Sequence, residues 1–251
     1  MNREIAPDPW SELRRHTPAR LGLGRAGTSL PTRELLDFGA AHAQARDAVL
    51  LPLDVAGLST ELSGVGLECL SVQSQASNRE VYLRRPDLGR RLAAENVEGL
   101  QALAAEPVDL AIVLGDGLSA IATQRHAAAL LVQLKQVLGE RLTWAPLVIA
   151  TQARVALGDE IGALLGARAV LMLLGERPGL SSPDSLGAYL TFGPRVGRND
   201  AERNCVSNIR PEGLAPDLAA KRLAWLLQEA LRRRLSGVAL KDDSERELLG
   251  G

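Results

Sequence analysis

Three short apolar runs constrain this chain more than any other feature. Residues 109–114 (DLAIVL), 146–150 (PLVIA) and 169–174 (AVLMLL) are too short for buried helices and too continuous for half-exposed strands. Runs of this kind suit strands covered on both faces. Between them apolar residues recur at helical spacing: Ile121, Ala128, Leu131 and Leu134 within 118–138, then a shorter pattern at about 159–165. Flanking them, 66–74 (GLECLSVQS) reads as a further strand, 87–103 as a helix and 186–192 as the last strand. A closing helix runs from Asp217 to about Leu235, with Leu223, Leu226, Leu227, Ala230 and Leu231 on one side. Alternation of this kind implies an α/β fold, a mostly parallel sheet with helices on both faces. In such sheets ligands bind outside the carboxyl ends of the strands. That rule singles out the loops around Asp116, at 151–155, at 175–179 and at 193–208.

The first 31 residues have a different character. They are rich in Arg, Gly, Pro and Thr, and Pro7, Pro9 and Pro18 bias their neighbours away from helix. A segment like this packs no core of its own and is either disordered or an arm ordered by a partner. A helix then opens at Thr32, its candidate N-cap, and runs through Leu36, Ala40, Ala43 and Asp47. The organisation expected is an arm and helix over 1–48, a core over 49–238 and a charged, frayed tail over 239–251.

Composition excludes several classes. The chain has 251 residues, 46% of them hydrophobic, enough for a sizeable core. With 29 basic against 30 acidic residues, and only three Trp, two Tyr and two Phe, it has neither the charge nor the stacking surface of a nucleic-acid binder. The polar start lacks an export signal, and the longest uncharged run, 142–153, is too short to span a membrane. Cys69 and Cys205 form no disulfide framework. A soluble, intracellular protein is expected.

Familiar motifs occur in the wrong settings. Residues 22–27 (GLGRAG) match G-x-G-x-x-G, but no strand precedes them and no helix follows directly, so a Gly-rich arm is the reading. Gly117-Leu118-Ser119-Ala120-Ile121 approaches a nucleophile elbow, with Ile121 where the final glycine belongs. His126 lies too near along the following helix to serve Ser119. A cap role for Ser119 or Asp116 is the plainer alternative. His16, His42 and His126 have no metal-ligand spacing, and His42 falls on the apolar side of its helix, packed or at an interface. The turn GERPG (175–179) brings a charged pair out of a buried strand, either toward a ligand or into solvent as an ion pair. In RNCVSNIR (203–210), Cys205 is either a reactive thiol or a small buried hydrophobe.

Together, TPARLGLGRAGTSLPTRELLDFGAAHAQARDAV (17–49), VQSQASNREVYLRRPDLGRRL (72–92), DLAIVLGDGLSA (109–120), GERPGLSSPDSLGAYLTFGPR (175–195) and RNCVSNIRPEGL (203–214) resemble the small (light) subunit family of ethanolamine ammonia-lyase over residues 7–238. The resemblance implies a Rossmann-like core within an adenosylcobalamin-dependent lyase that converts ethanolamine to acetaldehyde and ammonia by radical chemistry. It implies a large-subunit partner that holds the substrate, in a higher oligomer of large–small pairs, with cobalamin at the subunit interface. Motif by motif, the cobalamin contacts fall on Val155, Glu176 and Cys205, with no catalytic residue and no metal ligand on this chain. No His here carries the D-x-H-x-x-G context that places a protein ligand on cobalt, and the resemblance implies that the cofactor's own benzimidazole stays on the metal. A cytoplasmic location is implied, a bacterial microcompartment being the open alternative. Two rivals remain at this point: a self-contained α/β hydrolase or nucleotide-binding enzyme working at Asp116 and Ser119, and a purely structural partner that touches no ligand.

Overall fold

The computed structural model describes residues 6, 8–104 and 106–244. Six strands form one sheet: β1 (Cys69–Gln73), β2 (Val108–Gly115), β3 (Leu147–Thr151), β4 (Ala167–Gly175), β5 (Leu186–Phe192) and β6 (Arg203–Ile209), in the order β1-β3-β2-β4-β5-β6. The first four in that order run parallel, and β5 and β6 are added antiparallel. The helices are α1 (Thr32–Leu50), α2 (Val55–Gly64), α3 (Arg79–Arg84), α4 (Val97–Ala102), α5 (Ala120–Leu138), α6 (Leu157–Leu164) and α7 (Pro216–Arg233). The α/β class and the mostly parallel sheet hold.

The pattern in the apolar runs explains the layers. Along β2, Leu110, Ile112 and Leu114 enter one core with α2, α5 and α7, while Ala111 and Val113 enter a second core with α4 and α6. Strands β3 and β4 alternate in the same way, so a run apolar at every position is buried on both faces. The second core stops short of the antiparallel edge. Leu186, Ala188, Leu190, Val206 and Ile209 pack toward α5 and α7, but on the other face Tyr189 is half-buried and Cys205, its register partner, is exposed. That bare face becomes one wall of a cleft.

Several local expectations shift. The helix expected over 87–103 is instead two 3-10 turns (Leu88–Arg90 and Ala94–Asn96) and the short α4. The sequence PDLGRR at its start gives the chain turns rather than a regular helical face. The polar stretch at 203–210 is not a loop but edge strand β6, whose alternation is masked because its outward face is polar. Thr32 is the first residue of α1, not its cap; Pro31 holds the cap position with no side-chain hydrogen bond. Within 237–244, Leu240 is buried in the main core and Asn204 Nδ2 donates to its carbonyl at 2.8 Å.

The arm has structure without a core. Residues Pro9–His16 form a 3-10 helix, Arg14 makes a forked pair with Glu34 at 3.0 Å, and no residue of that 3-10 helix is buried. In α1 only Ala48 is buried, leaving Leu35, Leu36 and Phe38 in solvent together with Trp10 of the arm. The Gly22–Gly27 motif follows no strand, as its context requires.

Chain β2→α5→β3 turns to one side of the sheet and β4→β5 to the other, so the switch point lies between the carboxyl ends of β2 and β4. There the backbones nearly touch. The Leu118 N–H donates to the Gly175 carbonyl at 2.9 Å. A Cβ on Gly175 would lie 1.9 Å from the Ser119 carbonyl oxygen, and one on Gly117 (φ +56°) 2.2 Å from that of Gly175. Neither position admits a side chain without moving backbone. Gly175→Ala should therefore destabilise the fold by at least about 1–3 kcal/mol in urea unfolding; an unchanged midpoint would show that the two loops are free to part.

Candidate functional site

A cleft of about 580 Å³ opens at the switch point. Its apolar wall includes Leu118, Val155, Leu174 and Tyr189, its rim carries Arg90, Arg154, Glu176 and Arg177, and the buried Arg203 also lines it. The turn after β3 supplies Val155, the end of β4 supplies Glu176, and the bare face of β5–β6 supplies Tyr189.

Asp116, just past β2, fixes the turn after β3. It is 2% exposed and accepts hydrogen bonds from the Gln152 and Ala153 N–H groups, each at 2.9 Å. Gln152 is left-handed (φ +55°), an unusual state for a side chain of its kind, and this carboxylate holds it there. Arg79 Nη1 reaches Asp116 at 3.5 Å and donates to the Gly117 carbonyl at 2.8 Å. The Tyr82 ring lies between Arg79 and Arg154, whose guanidinium carbons sit 4.7 and 4.2 Å from its centroid, and its hydroxyl donates to the Ala153 carbonyl at 3.1 Å. Burial pushes the Tyr82 phenol up to about 12.

Glu176 performs the matching task across the cleft. Its carboxylate accepts from the hydroxyls of Ser185 and Ser207, and from the Asn208 N–H at 3.1 Å. Asn208 is also left-handed (φ +58°). The turn GERPG therefore does not present a solvated Glu–Arg pair: Glu176 clamps it to the end of β6, and among the described residues Arg177 has no carboxylate partner. Below, the buried pair Arg203–Asp159 (2.9 Å) ties β6 to α6, with burial pushing the Asp159 carboxyl up to about 6.

The residues singled out from sequence come together unevenly. Val155 and Glu176 line the cleft. Cys205 stands beside it, not in a loop but on β6, opposite Tyr189 in register. Its residue surface is exposed, yet partial burial of the sulfur, reinforced by the Glu176 carboxylate, pushes the thiol up to about 11. A thiol so placed holds less thiolate at neutral pH than an ordinary free cysteine and is a correspondingly weaker nucleophile. Ser119 occupies the cap position of α5 but makes no cap bond; its hydroxyl donates to the Pro183 carbonyl at 2.7 Å. Asp116 caps nothing and serves β3 instead. His126 faces Asp184 at 3.5 Å, and His42 is exposed near Phe38 rather than packed within this chain. Among the described residues no three His, Cys, Asp or Glu side chains converge as a metal site. Sequence reasoning missed Arg79, Tyr82, Arg154 and Tyr189, because each contributes through a neighbour that only the fold supplies.

Comparison with known proteins assigns the family. Residues 7–241 match the family model described as ethanolamine ammonia-lyase light chain (EutC). The chain belongs to this light-chain family. A protein of Xanthomonas campestris pv. campestris named ethanolamine ammonia-lyase small subunit is 56% identical over 97% of the chain and 91% of its own length. Proteins of the same name from Pseudomonas putida (57%; 97% and 92%) and Bradyrhizobium diazoefficiens (56%; 94% and 91%) are equally similar. As a member of the light-chain family, the chain is a component of a lyase complex, and the small-subunit name implies a large partner.

The geometry makes a chemical prediction about Cys205. In a Cys69→Ser background, alkylation at pH 8 should run roughly a hundredfold below that of an ordinary exposed thiol and rise until about pH 11. Glu176→Gln should speed it by removing a nearby negative charge. Full free-thiol reactivity at pH 8, followed by mass spectrometry, would contradict the placement of the sulfur.

Proposed function

We propose that this chain is the small subunit of an adenosylcobalamin-dependent ethanolamine ammonia-lyase, binding the cofactor in the switch-point cleft where the large subunit closes over it. The observation that supports this reading is the shape of the cleft: one wall is the uncovered face of β5–β6, while a second, apolar wall is built by loops at the carboxyl ends of β3 and β4. A corrin is a broad, largely apolar ring edged with amides, and two such walls would seat one edge of it. The residues fit the group: Val155 and Leu118 offer apolar contact, Cys205 a small polarizable one, and the buried Arg154 Nε has no partner within the described residues.

When bound, the cofactor supplies the radical chemistry. This chain binds and orients it. Val155 packs against the ring or its methyls, and the Asp116 and Gly117–Gly175 contacts keep that wall from retreating. Glu176 has both oxygens engaged by Ser185, Ser207 and Asn208, which leaves it little capacity for a cofactor amide; its larger task is to hold the β4 turn against β6. Closing the cleft excludes water from the reacting centre. The autonomous-hydrolase alternative is weakened by the placement of its nucleophile: Ser119 is buried and its hydroxyl donates to the Pro183 carbonyl. The exposed apolar residues of the arm and α1, Trp10, Leu35, Leu36 and Phe38, are where the large subunit would dock.

Ethanolamine deamination should appear only when this chain, the large subunit and adenosylcobalamin are combined. Val155→Trp should lower corrinoid retention by the complex roughly tenfold or more by overfilling the wall, and Ser119→Ala should leave turnover intact. A large subunit equally active alone would remove the proposal and favour a structural partner.

A further inference from the structure

The charge on the cleft wall is unbalanced in one place. Arg91, Arg198 and Arg203 each have a carboxylate: Glu160 at 3.0 Å, Glu202, and Asp159 at 2.9 Å. Arg90, Arg154 and Arg177 line the same cleft, and none has an ion pair among the described residues. The two acidic residues of the lining do not answer them, since Glu176 is engaged by Ser185, Ser207 and Asn208, and Asp200 faces Arg203 at 3.5 Å.

Arg154 is the most telling of the three. Its guanidinium is stacked on Tyr82 at 4.2 Å, one Nη donates to the Tyr82 carbonyl at 3.3 Å, and its backbone N–H is held by the Gly89 carbonyl at 2.8 Å. Fixed at backbone and ring, it still leaves a buried Nε with no acceptor. A buried donor on a cation without a partner is costly unless something outside the chain completes it. The position of Arg90 next to the Gly89 anchor, and of Arg177 on the turn clamped by Glu176, places further guanidiniums on rigid supports around the same opening.

We infer that Arg154, with Arg90 and Arg177, forms an anion subsite that takes a phosphate group, and that its occupant is the phosphodiester of the cofactor's nucleotide tail. The inference rests on the cleft being the cobalamin site. Planar guanidiniums match phosphate oxygens in paired hydrogen bonds, and the phosphodiester is the cofactor's anionic group of that kind. The apolar wall then seats the ring edge while the arginine rim fixes the tail, so one cleft reads both ends of the ligand.

The test uses the assembled complex with cyanocobalamin and with cobinamide, a corrinoid lacking the phosphate, ribose and base, read by absorbance after equilibrium dialysis. Arg154→Gln and the exposed Arg90→Gln and Arg177→Gln should each weaken cyanocobalamin binding roughly tenfold and leave cobinamide unchanged. Millimolar inorganic phosphate should compete with cyanocobalamin but not with cobinamide. Equal loss for both corrinoids, or an equal effect of phosphate on both, would overturn the assignment. So would a triple variant that fails to assemble with the large subunit, since the arginines would then face carboxylates of the partner. If Val155→Trp abolishes binding of both corrinoids while the arginine variants are silent, only the phosphate subsite falls. If the wild-type complex retains neither corrinoid, the cobalamin site itself falls first.

Discussion

The Asp116 carboxylate is the interaction on which the rest of the site depends. It sits where β2 ends, nearly excluded from water, and holds the backbone where β3 ends. Burial pushes its proton affinity up, opposed by the Ala153 and Gln152 N–H groups and by Arg79. A charge in that position is tolerated only when fully answered, and each of its oxygens has an N–H donor. The consequence is geometric. Holding Gln152 left-handed turns the chain so that Ala153 enters the second core and Val155 comes out on the cleft wall. Left-handed backbone at a non-glycine residue carries strain of about 1–3 kcal/mol, which the surrounding bonds must offset.

Glu176 repeats the device at the next strand end. It too is a carboxylate that meets a backbone N–H at a left-handed residue, here Asn208, and its hydroxyl partners come from β6 and from the loop before β5. Between the two acids lie Gly117 and Gly175, packed so closely that no Cβ fits. The wall is thus made rigid by backbone contact and charge rather than by a large apolar core. Rigidity is what a subunit needs if its task is to hold a bulky ligand in register with chemistry on another chain.

How much of this was legible in the sequence depends on which signal each element leaves. The runs DLAIVL and AVLMLL needed no context, because burial on both faces makes every position apolar. Strand β6 left no such signal: its second face is bare, so Asn204, Cys205, Ser207 and Asn208 mix with Val206 and Ile209 and read as a loop. The short α3 was hidden for another reason. Arg79 and Tyr82 look like ordinary surface residues until Asp116 and Ala153, far along the chain, give them their respective partners. Val155 and Glu176 were reached from the loops the sheet rule favours and from motif resemblance. Arg154 was not, since nothing local distinguishes an arginine whose donor lacks an acceptor.

Among the described residues no helix covers one face of β5–β6. A sheet face left without a covering layer keeps apolar and polarizable groups, Tyr189 and Cys205, at the surface. Covering it with a further helix would stabilise the isolated chain but fill the cleft. The arm shows the same choice, with Leu35, Leu36 and Phe38 on a helix that buries only Ala48 in its own chain. Both surfaces leave apolar groups in solvent on this chain, and under the proposed function these are the faces that other components of the complex would cover. The Arg79 side chain links the two, donating from Nε to the Val49 carbonyl at the end of α1 and from Nη1 to the Gly117 carbonyl beside the cleft. Docking of a partner against α1 would therefore bear directly on the residue that braces Asp116.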